Sequence, residues 1–375
     1  MFKELKVLEL ASVLAGPSVG QFFAELGAEV IKLENLRAGG DVTRSWKISG
    51  EPAGDRSAYF CSCNWGKKSV AIDLDTPQGK DIVHKLAARA DIVIASYKTG
   101  DAEKLGVGYQ QLKALQPDLI YGQISGYGPN NDRVGYDAVV QAEAGFMDLN
   151  GEKDGAPLKM PVALIDILAA HQLKEGLLLA LLNKERTGKG SFVEVSLIQT
   201  AVASLANQAT NWLVAGKLPS RKGSAHPNIA PYGEAFLSDD GKRILLAIGT
   251  DKQFQNLCSV LDIASASDLP TFFTNASRVA NRQKLGETLA TAIRKWNSAE
   301  LLARLHQEKI PAGLIQNVKD VFEMREAKDL LLQLDDVAGV RNFVALPTTW
   351  QIHSLMPPPH FGEHTKEILS LLGIA

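Results

Sequence analysis

LKVLELASVLAGPSVGQFFAELGAEVIKLE, residues 5–34, decides the fold class. Leu5 to Leu10 is a compact apolar run of strand length, and Ala15-Gly16-Pro17 is a small-residue turn. A helical stretch through GQFFAELG follows, Gly27 supplies its stop, and Ala28 to Glu34 forms a second strand. The alternation continues with strands in KSVAIDL (Lys68 to Leu74), ADIVIAS (Ala90 to Ser96) and LIYGQIS (Leu119 to Ser125). Helical segments TPQGKDIVHKLAARA and YQQLKALQ lie between them. Strands that alternate with helices imply an α/β fold, with a parallel sheet covered on both faces.

Further along, SFVEVSL (Ser191 to Leu197) is another strand, and QTAVASLANQATNWLVAG is a single long helix. Lys217 to Pro231, with its Pro, Gly, Ser and His-Pro content, is a linker. Beyond it the texture changes. GEAFLSDDGKRILLAIG is a hairpin turning at Asp239-Asp240-Gly241, helices run to about Lys309, and IPAGLIQ returns as a strand. These make a smaller α+β unit of roughly ninety residues. The chain closes with a helix in VKDVFEMREAKDLLL, a strand-rich piece VRNFVALPTTW, a proline turn at Pro357 to Pro359, and a helix in EHTKEILSLLG.

The bulk properties bound the partners. A chain of 375 residues has room for two domains with sizeable cores. Its 40 basic and 42 acidic side chains nearly cancel, leaving no electrostatic footprint for nucleic acid or a membrane surface. Cys61, Cys63 and Cys258 have neither a disulfide framework nor zinc-like spacing, so they are expected as reduced thiols in a cytoplasmic protein. MFKELKVLEL is unlike a secretory signal, and the apolar run GLLLALL is too short to span a bilayer.

The most informative single residue is Asp166, in MPVALIDILAAHQLKEGLLLALLNKERTGKG. It lies where a strand-like piece, Val162 to Ile165, meets a long apolar helix. At a helix N-terminus the dipole and free N–H groups would keep a carboxylate ionised while apolar neighbours exclude water. Those conditions suit a nucleophile. Asp is also a preferred N-cap residue, and from the local sequence alone the cap reading comes ahead of the nucleophile, because caps far outnumber nucleophiles.

Other motifs are weaker. A nicotinamide fingerprint needs closely spaced glycines, whereas LAGPSVGQF has Gly16 and Gly20 wrongly spaced and Pro17 without an N–H. Glu34 nonetheless ends the second strand where a ribose-binding acid would lie. NKERTGKGS follows a helix, so Gly188 is a C-cap rather than part of a phosphate loop. ENLRAGGDVTRSW places Arg37 and Arg44 around a glycine pair at the sheet's carboxyl edge. Lys67, Lys68, Lys98 and Lys104 also lie near element ends. GYGPNNDRVGYDAVVQAEAG leads into a helix with Tyr136 and Asp137 at its entry, which suits either a functional loop or a capped helix. His226 has no Ser or Cys motif to complete a triad.

Taken together, VLELASVLAGP…LGAEVIKLE, GGDVTRSW with NWGKKSVAIDL, ISGYGP…GYDAVVQAEAG and ERTGKGSFVEVSL resemble the family III CoA-transferases. HPNIAPYGEAF…DGKRILLAIG and FGEHTKEIL are similar too, and the segments occur in family order along essentially the whole chain. This CaiB/BaiF group contains formyl-CoA and carnitine CoA-transferases and α-methylacyl-CoA racemase.

The resemblance implies a Rossmann-like large domain with a parallel sheet, plus a smaller α+β domain, in an interlocked homodimer. The implied layout is residues 1–190 in the large domain and 191–225 as connecting strand, helix and linker. Residues 226–315 would be the small domain, and 316–375 a linker and return to the large domain. Asp166 falls where the family has its nucleophile, which carries an aspartyl–acyl anhydride and then an aspartyl-CoA thioester. The implied substrates are acyl-CoA and a small carboxylic acid, with no permanently bound cofactor and no metal.

Carried-over CoA contacts are Val13, Leu14 and Ala15; Arg37; Ile72, Asp73, Leu74 and Asp75; Ser96, Tyr97 and Lys98; Lys104; and Arg133, Val134 and Gly135. Leu14 replaces the glutamine of oxalate-using relatives, which points to a less polar acyl group. Asp75 lies where some relatives have a lysine. Tyr136 stands where the racemases carry histidine and is the second implied catalytic residue. Racemisation needs two bases, and a phenol with a pKa of about 10 replaces an imidazole poorly. CoA transfer is therefore preferred to racemisation, for which Asp251 would be the second acid. A CoA-binding protein without turnover is the non-enzymatic alternative.

Overall fold

The protein's structure, a computed structural model, describes residues 2–263, 270–334, 336–345 and 354–374. Six strands build the main sheet: β1 (Lys6–Leu10), β2 (Glu29–Asn35), β3 (Lys67–Ile72), β4 (Ile92–Ala95), β5 (Ile120–Ser125) and β6 (Ser191–Ser196). Their spatial order is β3-β2-β1-β4-β5-β6, and every neighbouring pair is parallel. This is the Rossmann order, whose direction of winding reverses between β1 and β4.

Strand side chains alternate between two cores, as the pleat requires. Val7, Ile92, Ile94 and Ile120 face one core with the first helix, Ala15–Glu25, and the long helix, Leu164–Thr187. Leu8, Val93, Ala95 and Tyr121 face the other, where Ile82 and Val83 of the helix Pro77–Ala87 pack. Every residue of the first helix is buried, and its polar side chains Ser18, Gln21 and Glu25 share one face, where Gln21 Nε2 donates to Glu25 at 2.9 Å.

The last part of the chain packs on the same unit. His364 donates its N–H to the Ser69 carbonyl at 2.9 Å, and Thr365 Oγ1 accepts from Ala71 N at 3.0 Å. Ile368, in the helix Thr365–Leu371, enters the second core.

The chain divides into two compact units: Met1–Phe146, Lys159–Lys217 and Asp329–Ala375 in one, Met147–Leu158 and Leu218–Lys328 in the other. The second unit carries an antiparallel sheet, β7 (Tyr232–Leu237), β8 (Arg243–Ala247) and β9 (Ala312–Leu314), in that spatial order. Gly241, at a φ of 76°, makes the β7–β8 turn. Its core gathers Phe254, Leu257, Leu285, Leu289, Leu301 and Leu305 from the surrounding helices.

Several elements differ from their sequence reading. The helix expected through Gln199 to Gly216 breaks into Leu197–Ala203 and Ala206–Ala215, with Ala206 left-handed at a φ of 46°. The helix expected over 318–332 stops at Met324, whose backbone is extended; Leu331 and Leu332 instead begin β10 (Leu331–Leu334), antiparallel to β11 (Val337–Val340). There the pairing of apolar residues across a hairpin outweighs helix propensity. Of the strand-rich piece 340–350, only Val340 is in a strand among the described residues, and 346–350 lie outside them.

Candidate active site

Ligands of open α/β sheets bind beyond the carboxyl ends of the strands, where the winding reverses. At that point a cavity of about 330 Å³ opens between the loops after β1, β4 and β5, with Asp166 in its wall. Two glycines bring the last loop into place. A Cβ on Gly126 would lie 2.7 Å from the Gly135 Cα, so the two backbones meet where no side chain fits. That contact seats Tyr136 and Asp137 on the end of β5.

Asp166 is not the cap of its helix. The cap position is Ala163, the helix starts at Leu164, and Asp166 is its third residue; Val162 and Ala163 form no strand. The capping carboxylate comes from elsewhere in the chain. Asp137 Oδ1 accepts the N–H of Ile165 at 2.7 Å and that of Asp166 at 3.4 Å. The remaining first-turn donors, Leu164 and Ile167, bond to the carbonyls of Val162 and Ala163. Asp137 is itself held by Gln141 Nε2 at 2.6 Å, and Gln141 Oε1 accepts Met160 N at 2.9 Å.

The electrostatic consequence reverses the expectation of a firmly ionised Asp166. Burial first, and then the neighbouring charge of Asp137, push its carboxyl up to about 7. The helix N–H groups that would favour its charge are bound to Asp137 and to backbone oxygens, so burial prevails over the dipole.

Tyr59 is a neighbour of the site without a sequence signal. It lies on the short helix Ala58–Cys61, half-buried, and its ring meets that of Trp46 edge-on at 5.1 Å. Trp46 lines the cavity. Burial, and then the charge of Asp166, push the Tyr59 phenol up to about 12, so it stays protonated as a donor. Nothing in AYFCSCNW marks it, because its proximity to Asp166 spans more than a hundred residues of chain.

Most of the expected contacts converge. Val13, Leu14, Ala15, Ser96, Tyr97 and Lys98 line the cavity with Asp166, as do Arg133, Val134, Gly135 and Tyr136. Ser96 and Tyr97 also border a neighbouring cavity of about 280 Å³, together with Ile72, Leu74 and Asp75. Arg37 lines neither cavity; it lies 2.7 Å from Asp73 and 3.4 Å from Asp75. Lys104 is also outside both, 76% exposed and 2.9 Å from Asp101. Arg133 pairs with Glu143 and lies over the Tyr127 ring, 4.3 Å from its centroid. Glu34, at the ribose-acid position of a dinucleotide fold, is taken by Arg44, whose Nε and Nη2 lie 2.8 and 2.6 Å from it. Asp251, the conjectured racemase acid, pairs with Arg278 at 2.7 Å. Among the described residues no group of three or more His, Cys, Asp and Glu could hold a metal ion.

The family model for CoA-transferase family III matches residues 2–365. The chain belongs to that family. A succinate–glutarate CoA-transferase of Agrobacterium fabrum is 38% identical, over 98% of this chain and 94% of its own length. The human succinyl-CoA:glutarate CoA-transferase is 34% identical, over 97% of this chain and 84% of its own length. A crystal structure of a CaiB/BaiF family protein from Brucella suis superposes with a TM-score of 0.87 at 40% identity, covering 98% of both chains. This CoA-transferase therefore acts on CoA thioesters and carboxylic acids. No helix among its described residues is long and apolar enough to cross a membrane.

Two measurements test the site's physics in the CoA-transferase. Because folding raises Asp166 above its ordinary carboxylate value, its favourable contribution is present at low pH and lost as pH rises through about 7. Asp166→Asn should raise the melting temperature at pH 8 by several degrees, and that gain should shrink as pH falls towards 4. A Cβ at the glycine contact should displace Tyr136 and Asp137. Gly126→Ala is expected to lower kcat/KM at least tenfold while the far-ultraviolet circular dichroism stays unchanged.

Proposed function

We propose that Asp166 is the nucleophile that carries CoA from an acyl-CoA donor to a carboxylic acid. The observation that carries this reading is a buried carboxylate in the wall of the switch-point cavity, in a chain of this family. The ionised carboxylate attacks the thioester carbonyl, the C–S bond breaks, and CoA leaves as the thiolate. The product is an anhydride between Asp166 and the donor acyl group. The thiolate then attacks the aspartyl carbonyl, releasing the donor acid and leaving an aspartyl-CoA thioester. The acceptor carboxylate displaces CoA to form a second anhydride. The thiolate attacks its acyl carbon, releasing the new acyl-CoA and regenerating Asp166.

Each step has a physical support nearby. A carboxyl raised to about 7 is ionised in a useful fraction at neutral pH and is more basic than an ordinary aspartate. Burial keeps bulk water from the anhydride, and protonated Tyr59 is a donor for developing negative charge. Tyr136, 59% exposed in the cavity wall, is the second residue assigned to the reacting acyl group. The neighbouring cavity at Ile72, Leu74 and Asp75 is assigned to the nucleotide half of CoA.

The names of the relatives favour succinyl-CoA as donor and a short dicarboxylic acid such as glutarate as acceptor. Leu14 offers an apolar wall to the methylene spacer of such acids, while Lys98 brings positive charge to the same cavity. The long helix and the helix Ala206–Ala215 leave Leu179, Trp212, Leu213 and Val214 exposed, in keeping with the interlocked homodimer of the family.

Incubation with succinyl-CoA and hydroxylamine should convert the Asp166 peptide to a hydroxamate detectable by mass, and Asp166→Ala should abolish formation of glutaryl-CoA. An unmodified peptide together with an active alanine variant would sink the assignment. Light scattering should give a particle of twice the 40.5 kDa chain mass. Differently tagged dimers should fail to exchange chains without denaturant, and a monomer would refute the interlocked form.

A further inference from the structure

Val13 is a β-branched residue with a φ of 72°, in the left-handed region that such side chains avoid. It lies in the cavity wall, two residues before the first helix begins. Such a conformation persists only where its surroundings enforce it, and both polar groups of its backbone are gripped. Its N–H lies 3.3 Å from each oxygen of Asp41, and its carbonyl accepts from Cys63 Sγ at 3.5 Å. Burial pushes the Cys63 thiol up to about 11, so it retains the proton that it donates.

Asp41 is anchored in turn by buried charges. Its Oδ2 lies 2.9 Å from Lys32 Nζ, which is 2.9 Å from Glu9 and 2.7 Å from the Ala11 carbonyl. The other Glu9 oxygen lies 2.8 Å from Lys67, which also donates to the Pro17 carbonyl at 2.8 Å. Asp41, Lys32, Glu9 and Lys67 thus hold the cavity loop at three places: its start at Ala11, its strained middle at Val13, and the first turn of the helix at Pro17.

We propose that Asp41 and Cys63 are positioning residues for the reaction at Asp166. They hold Val13 left-handed and so set the start of the first helix in the wall of the cavity that Asp166 also lines. Neither residue is required to touch substrate. The inference rests on the reading of Asp166 given above.

The decisive variant pair combines Asp41→Asn with Val13→Gly. Asparagine keeps one acceptor oxygen but turns an amide towards either Lys32 or the Val13 N–H, so the grip is lost. Glycine adopts a positive φ without steric cost and depends less on that grip. Asp41→Asn should lower kcat/KM about tenfold in the wild-type background and less than threefold when Val13→Gly is present. An equal loss in both backgrounds would overturn the proposal.

A second readout does not involve the reaction. Cys63 is fully buried beneath Val13, while Cys61 and Cys258 are buried at other places. In the native protein, Asp41→Asn should speed iodoacetamide labelling of Cys63 selectively, and adding Val13→Gly should restore its protection. Equal acceleration at all three cysteines would show general destabilisation and refute a positioning role. Should Asp41→Asn yield no folded protein, Cys63→Ala removes the other anchor and leaves the buried charges intact. The same background dependence is then expected in activity, and its absence is again disproof. A wrong nucleophile would leave the labelling pattern as stated, so the two readings fail separately.

Discussion

The Asp137 carboxylate at the start of the long helix is the interaction on which the site depends. A helix leaves its first N–H groups without partners, and burying them unpaired is costly. Here the acceptor is the first residue of another helix, Asp137–Glu143, so capping the long helix also fastens the end of the loop after β5 to it. The bond fixes where Asp166 sits, and the charge that makes the bond adds to burial, the larger cause, in raising the Asp166 carboxyl. One carboxylate thereby sets the position of the other and contributes to its protonation.

Buried charges fix the part of the cavity wall that follows β1. Glu9, Lys32, Asp41 and Lys67 are fully or almost fully buried, and the set contains two charges of each sign. Burying such groups costs much of what their attraction returns, so they are weak evidence for extra stability. What they provide is geometry, since each lysine also grips a backbone carbonyl of the cavity loop. Arg44 extends the pattern: paired with Glu34, it donates through Nη1 to the Pro359 carbonyl at 3.1 Å and ties down the last part of the chain. The residue that a dinucleotide fold would offer to a ribose has become a structural anchor.

Much of the fold was legible because the physics behind it is local. The apolar runs of β1, β4 and β5 and the helices between them follow from periodicity and from glycine stops, and these elements form close to where they were read. The misread segments are those where a tertiary contact opposes a local pattern. The apolar pair Leu331-Leu332 fits a helix equally well, until a partner strand is available at Val337–Val340. The helix after β6 breaks at Ala206, and no helix-breaking residue marks the place.

The sequence by itself determined the parallel α/β core, the family and the prominence of Asp166, because strand alternation and ordered motifs are written along the chain. Only the tertiary structure decided how that residue behaves. Asp137 and Asp166 are 29 residues apart yet line one cavity, and Tyr59, more distant still along the chain, feels the charge of both. Burial and the Coulomb field depend on distance in space, and neighbours along the chain do not supply it. A cap expected to hold Asp166 ionised therefore became a site in which another residue caps the helix and Asp166 titrates near neutrality.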